Sequence, residues 1–209
     1  AGVNGDAQRI EQMVWIIFLK VYDAQEEAWE LEYDDFESII PEDLRWRNWA
    51  HSKDEEGKIR GDVMTGDTLR YFIDGTLFPV LQGSNSIDGK YKGIKVDKET
   101  PRGKAIVRDV FMEAHQYMKN GVLLRQVIDV IDEIDFMDNE ESHLFGDIYE
   151  DILKDLQSAG NAGEFYTPRP VTEFVVEMVD PKIDERILDF ACGTGGFLTS
   201  ALEILQKQI

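Results

Sequence analysis

Apolar residues spaced three and four positions apart predict a long helix near the start of the chain, from Ala7 to Leu31. The predicted core face of this helix is a single stripe that consists of Ile10, Met13, Val14, Ile17, Val21, Ala24, Ala28 and Leu31. The acidic residues beside that stripe are expected on its solvated edge: Glu26, Glu27, Glu30 and Glu32.

The same spacing predicts further helices up to residue 156, over 105–118, 121–131 and 142–156. Two apolar runs, 69–73 and 77–81, are expected in the core. The pattern therefore predicts a mainly α domain that covers residues 1–157.

A segment that mixes arginines with aromatic residues follows the first helix, from Pro41 to Trp49. Such a mixture can stack on nucleic-acid bases. Acidic residues on both sides favour the alternative, a packing loop in which Trp46 and Trp49 are buried.

Gly, Asp, Ser and Lys dominate residues 82–103, which predicts an exposed loop with a short hairpin around Tyr91 to Val96. This loop carries the densest basic charge of the chain, and two readings stay open: a solvated loop, or a contact with DNA or an acidic partner. The residues concerned are Lys90, Lys92, Lys95, Lys98, Arg102 and Lys104.

The pattern changes after residue 157, where Ser158 to Gly163 forms a small, polar linker. Helical spacing returns over 171–179. A short apolar run, 186–191, then predicts a buried strand, and the glycine-rich Cys192 to Gly196 leads into a helix over 195–205. Strand, glycine turn and helix are the first half of a nucleotide-binding βαβ unit, so residues 158–209 are predicted to begin an α/β, Rossmann-like domain.

Composition restricts the function classes. The chain has 209 residues, of which 43% are hydrophobic, enough for a sizeable core. No apolar run is long enough to span a bilayer, and no signal peptide is recognisable. The single cysteine, Cys192, excludes an internal disulfide and fits a reducing cytoplasm. The three histidines have no ligand-spaced companions, so no metal site is predicted.

The formal charge of −20 bears on nucleic-acid binding. Phosphate contacts supply most non-specific DNA affinity, and they require a basic face. Such a strongly acidic chain either has DNA-contacting residues elsewhere in the full protein or relies on a partner that holds the DNA. An acidic surface that simply favours solubility is compatible with both readings.

Two motifs carry a resemblance to a known family. The run Asp189-Phe-Ala-Cys-Gly-Thr-Gly-Gly-Phe197 resembles the first motif of S-adenosylmethionine-dependent DNA methyltransferases. The preceding Gly163-Glu-Phe-Tyr-Thr-Pro-Arg169 resembles the segment that closes over the methionine part of the cofactor. Their order, after a long N-terminal region, is similar to the modification subunits of type I restriction–modification systems.

The resemblance implies an adenine N6 DNA methyltransferase that uses S-adenosylmethionine and works with specificity and restriction subunits on double-stranded DNA. It implies that the glycine turn approaches the cofactor and that Asp189 contacts the cofactor or orients the turn. The cofactor-binding residues implied are Glu164, Phe165, Tyr166, Thr167, Pro168, Arg169, Asp189, Ala191, Cys192, Gly193, Thr194, Gly195, Gly196 and Phe197. Apart from this resemblance, Thr167 and Pro168 could simply begin the helix, as a cap and a first-turn proline.

The family's catalytic motif, Asn-Pro-Pro followed by an aromatic residue, occurs nowhere in the chain, so no catalytic residue is assigned. We therefore expect an N-terminal fragment of the modification subunit that does not methylate DNA by itself. Two other functions stay open: a non-catalytic helical module that binds the specificity subunit or DNA, and a small-molecule methyltransferase with a helical lid.

Overall fold

The computed structural model describes residues 6–54, 56–136, 167–193 and 195–208. The chain divides into two units, Ala1–Phe145 and Gly146–Ile209. Within the described residues the regular structure is helical, apart from one isolated antiparallel bridge between Lys53 and Ile59. The expectation of a mainly α first domain is confirmed. The predicted helix over 142–156 and the boundary between residues 157 and 158 lie outside the described residues and stay predictions.

The first unit is built from one long helix and several shorter ones. Asn120 caps the last of them, because its side-chain oxygen accepts hydrogen bonds from the backbone of Val122 at 3.0 Å and of Leu123 at 3.1 Å. The helices in chain order are α1 (Asp6–Glu32), a 3₁₀ turn (Glu42–Leu44), α2 (Trp46–Trp49), α3 (Gly66–Phe72), a π turn (Ile73–Leu77), α4 (Phe78–Leu81), α5 (Arg102–Glu113) and α6 (Gly121–Asp132).

Most of the predicted core face of α1 is wrong, although Ile17, one of its members, is partly buried and packs against the core. Val14 is 45% exposed and Leu31 is 91% exposed, whereas the buried face consists of Gln12, Trp15, Ile16, Leu19, Tyr22, Asp23 and Glu26. Both stripes have helical spacing, so periodicity alone does not choose between them. Aromatic packing chooses: the Trp15 ring meets the Phe78 ring edge-on at 5.2 Å, and Phe78 meets Phe111 at 5.1 Å.

Glu26, predicted on a solvated edge, is buried together with Asp23 and faces two arginines. Arg47 Nε lies 3.1 Å from Asp23 Oδ1, and Arg45 Nε lies 4.0 Å from Glu26 Oε2. The half-exposed Glu30 accepts hydrogen bonds from both arginines, at 2.6 Å from Arg45 and 2.9 Å from Arg47. Burial raises the pKa of Asp23 and of Glu26, although the arginines act in the opposite direction. These pairs attach the start of α2 to α1.

Trp46 and Trp49 are both buried, as predicted, with their rings 5.3 Å apart. The buried indole N–H of Trp46 has a hydrogen-bond acceptor at the end of α6, because Trp46 Nε1 donates to Asp132 Oδ1 at 2.7 Å. The other carboxylate oxygen lies 2.7 Å from His51 Nδ1, and Lys20 of α1 lies 3.6 Å from Asp132. Burial alone would raise the pKa of Asp132, but the hydrogen bonds from His51 and Trp46 hold it below its usual value.

The loop over residues 82–100 is attached both to itself, as by Ser86 N, which donates to Tyr91 O at 2.9 Å, and to the helices. Ile94 N donates to Val80 O at 3.0 Å, and Ile87 N donates to Gly75 O at 2.8 Å. Residues 91–96 are irregular, so the predicted hairpin is wrong. Gly93 is required here, because a Cβ at this position would lie 2.1 Å from the carbonyl carbon of Gly83.

In the second unit, α7 (Arg169–Val179) packs against α8 (Gly196–Gln206). The strand predicted over 186–191 is wrong, because this segment is irregular in the structure. A strand needs a neighbour to pair its backbone. No strand among the described residues supplies one, and Phe190 is 94% exposed.

None of the described helices combines the length and the apolar character needed to cross a membrane.

We predict that Asp132→Ala lowers the free energy of unfolding of the chain by about 1–3 kcal/mol, because the buried N–H of Trp46 loses its acceptor. Asp132→Asn keeps an oxygen for that N–H and should lose less. Urea unfolding followed by tryptophan fluorescence measures both. Equal stabilities of the two variants would contradict the role given to the indole hydrogen bond.

Glu26 makes stability depend on pH. Because its folded pKa is raised, mainly by burial, the folded state binds a proton before the unfolded state does as pH falls. Wild type should therefore gain stability relative to Glu26→Gln as pH falls from 7 through the raised pKa, a gain that is complete below the ordinary value of 4.5. Urea unfolding at several pH values tests this, with the exposed Glu32→Gln as control. A stability difference that does not change with pH would refute it.

Candidate cofactor site

The segment before α7 contains the first group of predicted cofactor residues. Thr167 and Pro168 are exposed, and Pro168, not Thr167, is the cap residue: its carbonyl accepts hydrogen bonds from Val171 N at 2.9 Å and Thr172 N at 3.2 Å. Pro170, in the first helical turn, has no N–H that would need a partner. The candidates Glu164, Phe165 and Tyr166 lie outside the described residues.

The second group lies in the turn that leads into α8. Gly193 has φ +53° and Gly195 has φ +83°, and Gly195 N donates to Cys192 O at 2.7 Å. A Cβ at either glycine would meet nothing within 4 Å, so the positive φ, rather than lack of space, favours glycine there. Cys192 is exposed, and Thr194 lies outside the described residues.

The N-terminus of α8 opens directly onto this turn. Gly195 occupies the cap position, and no side chain in the described part of the chain caps this end of the helix. The Gly195 carbonyl accepts hydrogen bonds from Thr199 N at 2.8 Å and Thr199 Oγ1 at 3.0 Å. The backbone N–H groups of the first turn are therefore available, and with the helix dipole they favour a ligand with acceptor or negatively charged groups.

The two carboxylate oxygens of Asp189 differ in their surroundings. Asp189 Oδ1 accepts a hydrogen bond from Ala191 N at 3.1 Å, which orients the turn. Asp189 Oδ2 is buried and has no hydrogen-bond partner among the described residues. A buried carboxylate oxygen without a donor is costly, so this atom is suited to receive a donor from a ligand.

Asp189 lines an apolar cleft of about 270 Å³ between α7 and α8. Phe197, another predicted cofactor residue, lies in the same wall, and the remaining lining is apolar: Val175, Val176, Val179, Pro181, Ile187, Leu188, Phe190, Leu198 and Ala201. The structure thus places Asp189, the glycine turn and Phe197 together at one end of α8. Arg169 lies apart from them, since its guanidinium Nη2 donates to Glu203 Oε1 at 2.8 Å.

The basic residues between Lys90 and Lys104 fall into two groups, those paired within the protein and those exposed without an ion pair among the described residues. Lys90 pairs with Asp43 at 3.3 Å, and Lys104 donates to the carbonyl of Glu37 and lies 4.8 Å from the Phe36 ring centroid. Lys92, Lys95, Lys98 and Arg102 are exposed, and no ion pair is found for them in the described part of the molecule. These four side chains are available to meet phosphates.

A second cleft, of about 400 Å³, lies in the first unit beside His51 and was not anticipated from the sequence. Its acidic members Asp43 and Asp62 pair with Lys90 and Arg60. No group of side chains suited to a metal ion occurs among the described residues. The cluster of His51, Asp132 and Trp46 could not be predicted from the sequence, because these residues are far apart in the chain or belong to no motif.

Comparison with known proteins agrees with this division of the chain. Residues 2–131 match the family described as the HsdM N-terminal domain, and residues 140–209 match the family described as N-6 DNA methylase. The molecule is therefore a helical domain followed by the beginning of a DNA methylase domain. The chain belongs to the HsdM family, the modification subunits of type I restriction–modification systems.

Individual relatives support the same assignment. The chain is 53% identical over 203 residues to the Escherichia coli type I restriction enzyme EcoEI methylase subunit, across 97% of this chain and 38% of the relative. It is 38% identical to a modification subunit from Vibrio vulnificus YJ016, whose crystal structure it matches with a TM-score of 0.75 over 100% of this chain and 43% of that one. A chain of a type I R-M system, solved to explain its complex assembly and conformational transition, matches at 35% identity with a TM-score of 0.69, over 96% of this chain and 36% of that one. The chain thus spans well under half the length of these relatives.

Proposed function

We propose that the whole protein is the modification subunit of a type I restriction–modification enzyme, which transfers a methyl group from S-adenosylmethionine to N6 of adenine in DNA. The observation that carries this proposal is the buried Oδ2 of Asp189, which has no partner among the described residues and lies beside a left-handed glycine turn and an open helix end. The similarity of the whole chain to type I methylase subunits supports it.

The described residues fit this cofactor. Asp189 Oδ2 would accept a hydrogen bond from it, the turn at Cys192–Gly195 would let it approach the backbone, and Phe197 would offer apolar contact. Thr167 and Pro168 are exposed, and we propose that they enclose its amino-acid end together with Glu164, Phe165 and Tyr166. The cofactor supplies an activated methyl group on a sulfonium.

Methyl transfer of this kind requires positioning rather than covalent help from the protein. The chain's own residues would bind and orient the cofactor: Asp189 Oδ1 holds the turn through Ala191 N, which leaves Oδ2 free for the ligand. The apolar cleft beside Asp189 would keep water away from that side. The Asn-Pro-Pro-aromatic motif is not in this sequence, so no residue here is assigned to hold the adenine.

We also propose that the basic loop contacts DNA phosphates through Lys92, Lys95 and Arg102. Their exposure and lack of ion pairs in the described part of the chain support this, whereas Lys90 and Lys104 are engaged within the protein. With a net charge of −20 the remaining surface repels DNA. We therefore propose that the specificity and restriction subunits supply the other contacts with DNA.

A role of the helical unit in assembly is the second candidate function. Val122, Leu123 and Val130 are exposed on one side of α6, where apolar side chains gain from being covered by a partner. This role is compatible with methylation, because one subunit can both carry the cofactor site and bind the specificity subunit.

The test of the methylase proposal is Asp189→Asn in the full-length protein with its specificity subunit. The loss of a charged acceptor should lower methyl incorporation at limiting cofactor by roughly 10- to 100-fold. Transfer of labelled methyl groups to DNA, with N6-methyladenine identified by mass spectrometry, measures this. Asp184→Asn makes the same chemical change five residues away and should have little effect.

Unchanged methylation kinetics of the Asp189→Asn variant would show that Asp189 does not bind the cofactor. No N6-methyladenine from the wild-type complex, on DNA that contains its target, would exclude the methylase function itself.

The proposed DNA contact predicts a change in salt dependence. Lys92→Ala/Lys95→Ala should weaken DNA binding by the full-length complex and reduce the slope of log K against log salt by about 2, because each phosphate contact contributes about 0.9. Lys53→Ala/Lys58→Ala removes the same charge from lysines that are paired with Glu133 and Glu56. Equal slopes for the two double variants would show that the loop does not touch phosphates.

A further inference from the structure

Arg169 is oriented toward α8 rather than toward the glycine turn. Its guanidinium Nη2 lies 2.8 Å from Glu203 Oε1, and its Nε lies 3.5 Å from Glu173 Oε1 on its own helix. Glu203 lies seven residues beyond Gly196, which is roughly 10 Å along a helix that rises about 1.5 Å per residue. The contact of Arg169 with Glu203 is therefore remote from the first turn of α8, into which the glycine turn leads.

The side-chain hydroxyl groups of Thr172 and Ser200 form a second contact between α7 and α8. Thr172 is 2% exposed and Ser200 is 4% exposed, and their side-chain oxygens are 3.1 Å apart. Thr172 Oγ1 also donates to the carbonyl of Arg169 at 2.9 Å. A Cβ at Gly196 would lie 3.5 Å from Thr172 Cγ2, so the helices approach closely where α8 begins.

These contacts join the helices that carry the two parts of the candidate site, which adjoin different ends of α8. Thr167 and Pro168 lead directly into Arg169 beside Glu203, and the glycine turn leads directly into Gly196. Because each segment is continuous with its helix, the relative position of α7 and α8 sets the relative position of the two segments.

We propose that Arg169 is a positioning residue: its ion pair with Glu203 holds the Thr167–Pro168 segment in register with the glycine turn, and thereby sets cofactor affinity without contact to the cofactor. This rests on the proposed function of the site. It replaces the expectation that Arg169 is itself a cofactor ligand, and it adds Glu203, which no motif pointed to.

The test compares Arg169→Met, Glu203→Gln, the double variant and the exchange Arg169→Glu/Glu203→Arg in the full-length protein with its specificity subunit. Each single variant should raise the KM for S-adenosylmethionine by a similar factor, about three- to tenfold, as expected for one partly exposed ion pair. The double variant should be no worse than either single variant, and the exchange should restore the KM. The kcat at saturating cofactor and the KM for DNA should stay unchanged.

Glu173→Gln is the matched control. It removes a carboxylate that also faces Arg169, but one that belongs to the same helix, so the two segments should stay in register. Its KM for the cofactor should remain near that of wild type.

Other outcomes would overturn the inference. A raised KM in Arg169→Met but not in Glu203→Gln would show that Arg169 touches the cofactor directly. A lowered melting temperature of the single variants with an unchanged cofactor KM would make the pair merely structural.

Calorimetric titration of the same proteins with S-adenosylmethionine separates this inference from the proposed function. Wild type that binds the cofactor but does not methylate DNA would refute the methylase function, while equal losses of affinity in the two single variants would still support the positioning role. Wild type that does not bind the cofactor would refute both.

Discussion

The helical unit depends on the burial of carboxylates from α1 against arginines that come from a different part of the chain. Asp23 and Glu26 lie on the same face of α1 as Trp15 and Leu19, so packing that aromatic face forces them out of water. Burial of an unpaired charge is expensive, and the cost is offset because Arg45 and Arg47 lie opposite these carboxylates and Ser38 donates a hydrogen bond to Glu26. The segment Arg45-Trp46-Arg47 thus contacts two other parts of the fold. Its arginines pair with the carboxylates of α1, while Trp46 is buried and donates a hydrogen bond to Asp132.

At the candidate site of the second unit, the carboxylate of Asp189 stabilises the glycine turn with one oxygen only. Asp189 Oδ1 accepts a hydrogen bond from Ala191 N, but the buried Oδ2 has no donor among the described residues. Buried polar groups are usually paired in native proteins, so each exception calls for an explanation. Buried side-chain atoms without a partner also occur in the first unit, Glu26 Oε2 among them, so it is the position of Asp189 beside the glycine turn and the apolar cleft that makes it a candidate. The helices α7 and α8 are joined by polar pairs, Thr172 with Ser200 and Arg169 with Glu203. The helix pair therefore supports a cleft in which one carboxylate oxygen could accept a hydrogen bond from a ligand.

How much could be predicted from the sequence differs from one element to the next. The existence of α1, α5, α6, α7 and α8 followed from spacing, because helical periodicity is a local property. The face of α1 did not, since two stripes with helical spacing compete and the contact of Trp15 with Phe78 selects one of them. The strand over 186–191 failed for a related reason. Its apolar pattern is local, but a strand exists only when another strand pairs with its backbone.

By itself, the sequence determined the family, the helical character of the first unit, the burial of Trp46 and Trp49, and the positions at which the glycine turn begins and ends. These depend on residue type and short-range spacing. The tertiary structure decided which face of α1 is buried, that His51, Asp132 and Trp46 meet, that Asp189 keeps one oxygen free, and that Arg169 reaches Glu203. The physical reason is that each of these depends on a distance between residues remote in sequence, or on the burial of a single atom, and neither quantity is contained in a local pattern.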